Sequence, residues 1–187
     1  MDLYLEVRLG FQKETIPALR HDLFTKYGTT LRGLQAVYNV DENDFLAYVH
    51  DLPIPSFLNP NPTLAAALQS LPHPKYIFTN SDIRHAKRVM ATLGIMDCFR
   101  GVIDILAISP YCKPMPEAFT IALAQSGQPD PSSCLFVDDT IANLDSAKQL
   151  GFQTLHVHDN GLPSNGHKHI PRLEFLPDAI QQIDGAM

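Results

Sequence analysis

The 187-residue sequence predicts an α/β fold, a parallel sheet covered by helices on both faces, preceded by an all-helical stretch. Two observations carry this. From Thr63 onward, short apolar runs alternate with helical stretches of about ten residues, the rhythm of βαβ units. Over residues 1–50 the apolar spacing is helical only. A proline-rich run, Pro53, Pro55, Pro60 and Pro62, separates the two regions. The expected organisation is a helical unit over 1–55 and an α/β unit over 56–187.

In the helical region, Leu3, Leu5, Val7, Leu9 and Phe11 begin the pattern, and Ile16, Leu19, Leu23 and Phe24 continue it. Tyr27-Gly28-Thr29-Thr30 reads as a helix end with a glycine stop. A further helix is expected over Leu31–Tyr38. Asp41 resembles an N-cap with Asp44 three residues on, opening a helix through Phe45, Leu46 and Val49. In the α/β region, helices are expected over Thr63–Leu71, Asp82–Gly94, Pro116–Gly127, Ile141–Gly151 and Leu173–Ile183. Strands are expected over Lys75–Thr79, Val102–Ile108, Ser133–Val137 and Thr154–Val157. Asn160–Pro171 reads as a polar loop.

Composition bounds the function. A net charge of −6 with no basic stripe argues against a bound nucleic acid polymer. No apolar run approaches the roughly 20 residues that cross a bilayer, and the N-terminus lacks the pattern of a signal peptide. Cys98, Cys112 and Cys134 form no CxxC, which suits reduced thiols in a cytoplasmic protein.

In parallel sheets, ligands bind beyond the carboxyl ends of the strands. That rule selects Thr79-Asn80-Ser81-Asp82, Cys112-Lys113-Pro114 and Asp138-Asp139-Thr140. Small hydroxyl and amide groups at a strand-to-helix turn, with free N–H groups, make an anion cradle. A lysine ammonium neutralises a phosphate. Paired carboxylates need a cation, and hard oxygen ligands suit Mg²⁺. Each feature taken alone reads equally as a helix cap or a solvated charge.

Together and in this order, the motifs FTNSD, CKPMPEAF and FVDDTIANLDSAKQLG resemble the haloacid-dehalogenase-like hydrolases. YGTTLRGL and the downstream YVHDLP resemble the helical cap of pyrimidine 5′-nucleotidase-like members. The resemblance implies a three-layer Rossmann-like core with an N-terminal cap. It also implies Mg²⁺-dependent hydrolysis of a small phosphomonoester, such as a pyrimidine nucleoside 5′-monophosphate, through an aspartyl-phosphate. On this resemblance Thr79, Asn80 and Lys113 are the catalytic candidates. Asp139 would touch the metal directly, with Asp138 supporting it or Lys113, and Asn143 in an outer role. Thr29, Thr30 and Arg32 are the cap-side candidates for substrate binding.

The family's first motif, an apolar strand ending in Asp-x-Asp-x-Thr, has no counterpart here, and Asp2 follows no strand. In the family that strand lies between those carrying Thr79 and Asp138. Its absence is expected to leave two unpaired strand edges and room for a homodimer. A fragment of an enzyme, a non-catalytic relative that binds phosphate compounds or a protein, and a strand supplied by a second chain are the three explanations. His156 and His158 share a strand face and could chelate a metal, though a solvated strand end is the plainer expectation. His167-Lys168-His169 is expected to be solvated. Tyr4, Phe11, Phe24, Tyr27 and Tyr38 are expected chiefly in the core, with a nucleobase stack as the alternative.

Overall fold

Short parallel strands come in two groups that do not pair with each other. The computed structural model describes residues 1–127, 130–159 and 165–184. Strand β1 (Tyr76–Phe78) pairs in parallel with β2 (Gly101–Ile103). Strand β3 (Leu135–Asp138) pairs in parallel with β4 (Gln153–Val157), and β4 with β5 (Lys168–Ile170). Among the described residues β1 has no partner but β2, and β3 none but β4. The expected pair of unpaired edges is therefore present.

The N-terminal region is helical throughout: α1 (Asp2–Val7), α2 (Ile16–Tyr27), α3 (Thr30–Tyr38) and α4 (Glu42–Val49). Local chemistry sets their ends. Thr29 caps α3 by accepting the Arg32 N–H, and Asp41 caps α4 by accepting the Asp44 N–H. Gly28 closes α2 at φ +81°, a conformation that glycine, lacking a Cβ, adopts at little cost. Gly33 lets α3 lie against α2, since a Cβ there would sit 2.7 Å from Leu23 Cβ. Tyr4, Leu5, Ile16, Leu23, Leu31, Leu34, Phe45 and Leu46 form one buried cluster, which Ile105 and Cys112 join from the α/β region.

Helices α5 (Pro62–Ser70), α6 (Ile83–Leu93), α7 (Pro116–Ser126), α8 (Ile141–Gln149) and α9 (Leu176–Asp184) accompany the strands. Glycines in the left-handed region stop α6 and α7 at Gly94 and Gly127. An aromatic set joins the two sheet pieces from one side. Phe119 is fully buried and meets Phe78, Phe136 and Phe152 edge-to-face at centroid distances of 5.3, 5.1 and 5.9 Å.

Four expectations need correction. The strand expected over 102–108 ends at Ile103, because the buried Asp104 carboxylate accepts the N–H groups of Ile83 and Ala107 and turns the chain. Part of the expected tail loop is strand β5, since Lys168–Ile170 continues the sheet beside β4; residues 160–164 lie outside the described residues. His167 is buried rather than solvated, held by Thr154 Oγ1 at 2.7 Å and Asp145 Oδ1 at 3.0 Å. Phe24 and Tyr38 are exposed at 57% and 41%, whereas Tyr4 is in the core as expected. The three cysteines are free thiols. No described helix is long and apolar enough to cross a membrane.

Candidate active site

Lys113 organises the ends of β1 and β3. Its ammonium donates to the Phe78 carbonyl at 3.0 Å and to Asp138 Oδ2 at 2.7 Å. Both partners of the ion pair are buried, with side-chain exposures of 9% and 7%. The ammonium also lies over the rings of Phe78 and Phe136, at 5.2 and 5.4 Å. The Lys113 backbone is fixed separately. Asn80 Oδ1 accepts the Lys113 N–H, and Asn80 Nδ2 donates to the Lys113 carbonyl, both at 2.9 Å. Asn80 therefore clamps the peptide that carries the lysine.

Thr79 follows β1 directly. Its hydroxyl oxygen accepts the Ser81 N–H at 3.0 Å, which leaves the hydroxyl proton for another acceptor. Asp82 caps α6 through the His85 N–H at 2.9 Å. The turn between β1 and α6 is thus a helix cap, and the Thr79 hydroxyl lies outside that capping contact.

The acidic pair divides its work. Asp138 Oδ1 accepts the Thr140 N–H at 2.9 Å and Asn143 Nδ2 at 3.0 Å, while Oδ2 takes Lys113. Asn143 is buried beside it at 8% exposure. Asp139 is exposed; its carboxylate accepts only the Thr140 hydroxyl at 3.3 Å among the hydrogen bonds described. His156 Nε2 lies 3.2 Å from the Asp139 carbonyl and fixes that backbone. Asp139 is the carboxylate with open oxygens. Among the described residues no three His, Cys, Asp or Glu side chains gather as a metal site. The donor set nevertheless fits Mg²⁺, which keeps several waters and takes one or two carboxylates together with a phosphate.

Asn80, Lys113, Asp138 and Asn143 are joined by the contacts above; Thr79 adjoins Asn80 in the chain, and Asp139 adjoins Asp138. The cap-side candidates make none of these contacts. Thr29 caps α3, and Thr30 is buried. The buried Arg32 guanidinium donates to the carbonyls of Ile105 at 2.6 Å and Tyr111 at 3.1 Å and pairs with Glu42 at 3.0 Å. It fastens α3 to the loop that leads into Lys113. The rings of His156 and His158 lie 4.2 Å apart, and that of His169 follows at 5.0 Å. A cavity of about 500 Å³ between β5 and α9 is lined by Leu155, Ile170, Phe175 and Ala179 and holds none of the groups of this constellation.

Sequence reasoning missed His50. Its Nδ1 lies 2.8 Å from Asp82 Oδ2, a contact across 32 residues that no local pattern announces.

Comparison with known proteins gives the lineage. The model of the haloacid dehalogenase-like hydrolases matches residues 6–151. Phosphate metabolism protein 8 of Saccharomyces cerevisiae is 28% identical over 95% of the chain and 62% of its own length. N-acetylmuramic acid 6-phosphate phosphatase of Pseudomonas aeruginosa is 31% identical over 53% of the chain and 46% of its own length. The chain thus spans less than two thirds of these curated relatives. Among solved structures, a HAD phosphatase from Thermococcus onnurineus superposes with a TM-score of 0.63 at 18% identity, covering 94% of this chain and 84% of that one. That likeness is one of fold. The family match over most of the sequence, with Thr79, Lys113 and the acidic pair at the strand ends, places this chain among the haloacid dehalogenase-like hydrolases.

Proposed function

We propose that this chain carries most of a divalent-cation-dependent phosphomonoester hydrolase. The observation that carries the reading is the Lys113 ammonium, buried at the carboxyl ends of two strands and bonded at once to Phe78 and Asp138. A fixed cation there neutralises charge on a phosphoryl group as it is transferred. Thr79 donates its free hydroxyl proton to a phosphate oxygen. Asn80 and Asp138 hold Lys113 in place. Asp139, with Asp138 beside it, would hold Mg²⁺, which supplies charge neutralisation at the phosphate.

Asp138 has both oxygens engaged, and Asp139 is assigned to the cation, so this reading gives neither carboxylate the attack on phosphorus. In this reading the nucleophile comes from an apolar strand that pairs with the open edges of β1 and β3. Helices α1–α4, as a cap over residues 1–55, close on the substrate and exclude water. Thr29, Thr30 and Arg32 act on specificity by setting the cap against the Lys113 loop. A pyrimidine nucleoside 5′-monophosphate is the proposed substrate, and the cytoplasm the proposed location. Left without that strand, the same edges would pair with a second copy of the chain.

The test is hydrolysis of p-nitrophenyl phosphate and uridine monophosphate with Mg²⁺, with the chain alone and with a synthetic apolar peptide ending in Asp-x-Asp-x-Thr. Turnover that needs the peptide and is abolished by Asp139→Ala supports the reading. No turnover in either case, with phosphate still bound, identifies a binding protein instead.

A further inference from the structure

The end of α4 is tied to the start of α6 at several points. His50, the residue after α4, places Nδ1 at 2.8 Å from Asp82 Oδ2. Asp82 is 1% exposed and caps α6 immediately after the Thr79–Ser81 turn. The ring of His50 stacks on that of His85 at 4.2 Å and an interplanar angle of 19°. Arg88, one turn further along α6, donates to the carbonyls of His50 and Leu52. The Asp82 carboxylate is acceptor-only when ionised, so the proton between the pair sits on His50 Nδ1.

Asp82 serves two elements at once. One oxygen takes the His85 N–H of its own helix, and the other takes the imidazole that ends α4. A buried carboxylate that loses a donor is strongly disfavoured, so each contact supports the other. At a second place the same helices meet the α/β region through Cys112. This thiol is fully buried, its Sγ is 3.5 Å from the Tyr27 carbonyl, and a Cβ on Gly28 would approach it to 2.9 Å. Cys112 is therefore a natural reporter of any separation of the helices from the loop. Cys98 and Cys134, half-buried in the α/β region, report on that region instead.

We propose that His50 is a positioning residue that acts through Asp82: with Arg88 it latches the N-terminal helices to the Thr79–Asp82 turn. Release of the latch opens the helices away from the α/β region and uncovers Cys112. The latch stands whether or not the turn binds phosphate, so the two readings fail separately.

The experiment is thiol labelling of the intact native chain, with each cysteine quantified by peptide mass spectrometry. Rates are normalised to the denatured chain at the same pH. His50→Ala is expected to raise labelling of Cys112 by about ten- to a hundred-fold, the factor for one hydrogen bond to a buried charge, and to leave Cys98 and Cys134 unchanged. His50→Asn keeps an N–H near the position of Nδ1 and is expected to restore most of the protection. Arg88→Gln, a milder change, is expected to raise Cys112 labelling by a smaller factor. Unchanged Cys112 labelling in both His50→Ala and Arg88→Gln overturns the latch. An equal rise at all three cysteines shows general destabilisation and also overturns it. A His50→Asn variant as reactive as His50→Ala shows that the hydrogen bond is not the cause. Should His50→Ala fail to fold, Arg88→Gln and His50→Asn decide the question.

Discussion

Replacing Lys113 by methionine removes a charge and keeps most of the volume. The change leaves the Asp138 carboxylate buried and without its cation, and it frees the Phe78 carbonyl. Breaking a buried ion pair from one side costs about 3–5 kcal/mol. Asp138 keeps the N–H groups of Thr140 and Asn143, so the lower end of that range applies. About 3 kcal/mol is a large share of the 5–15 kcal/mol that holds a domain of ordinary size together. With a urea slope of about 2 kcal/mol per molar, the unfolding midpoint falls by about 1.5 M. Adding Asp138→Asn removes the orphaned charge and recovers more than half of the loss, because the two residues couple. Urea unfolding followed by circular dichroism measures all of this. A midpoint shift below about 0.5 M for Lys113→Met, or no recovery in the double variant, refutes the view that this pair anchors the site.

Other perturbations read other parts of the molecule. Gly33→Ala improves intrinsic helix propensity by about 1 kcal/mol, yet its Cβ meets Leu23 at 2.7 Å; net destabilisation by about 1–2 kcal/mol in thermal unfolding is expected. Arg32→Lys cannot reproduce the fork that reaches Ile105, Tyr111 and Glu42, and costs about 2–3 kcal/mol by urea unfolding. Acid weakens the fold by two routes. Burial, and then the charge of His50, lower the pKa of His85 below 6.5, so its contribution is complete above that value and lost as pH falls through the depressed one; His85→Gln flattens the fall in stability below pH 6.5. Burial alone would raise the Asp82 carboxyl, but hydrogen bonds from His50 and His85 outweigh it and hold the group below 3.8. Its contribution is complete above that value and lost as pH falls through the lowered one, and Asp82→Asn removes that part of the acid loss.

Much of this was legible because it is local. Asp41 and Asp82 announce helix starts by their chemistry, and Gly28, Gly94 and Gly127 announce stops. Thr79 follows β1 directly and Asp138 ends β3, and Lys113 bridges those two strand ends through the Phe78 carbonyl and Asp138. What was not legible depends on distant partners. Ile105 and Ile108 look like the continuation of β2, but they are buried by packing while Asp104 turns the backbone. Lys168–Ile170 has too few residues to show an alternating pattern and becomes a strand only because β4 lies beside it. Nothing near Arg32 in the sequence announces that Ile105 and Tyr111 present their carbonyls to it. Asn80 looks like a phosphate ligand until the Lys113 peptide takes both ends of its amide.

The central claim is that Thr79 and Lys113, with the acidic pair, accept a phosphoryl dianion and its cation. Phosphorus NMR of the intact chain titrated with inorganic phosphate tests it without any need for turnover. Saturable binding that requires Mg²⁺ is expected, about tenfold weaker in Thr79→Val and absent in folded Lys113→Met. Phosphate that fails to bind the native chain, or that binds Lys113→Met as tightly, contradicts it.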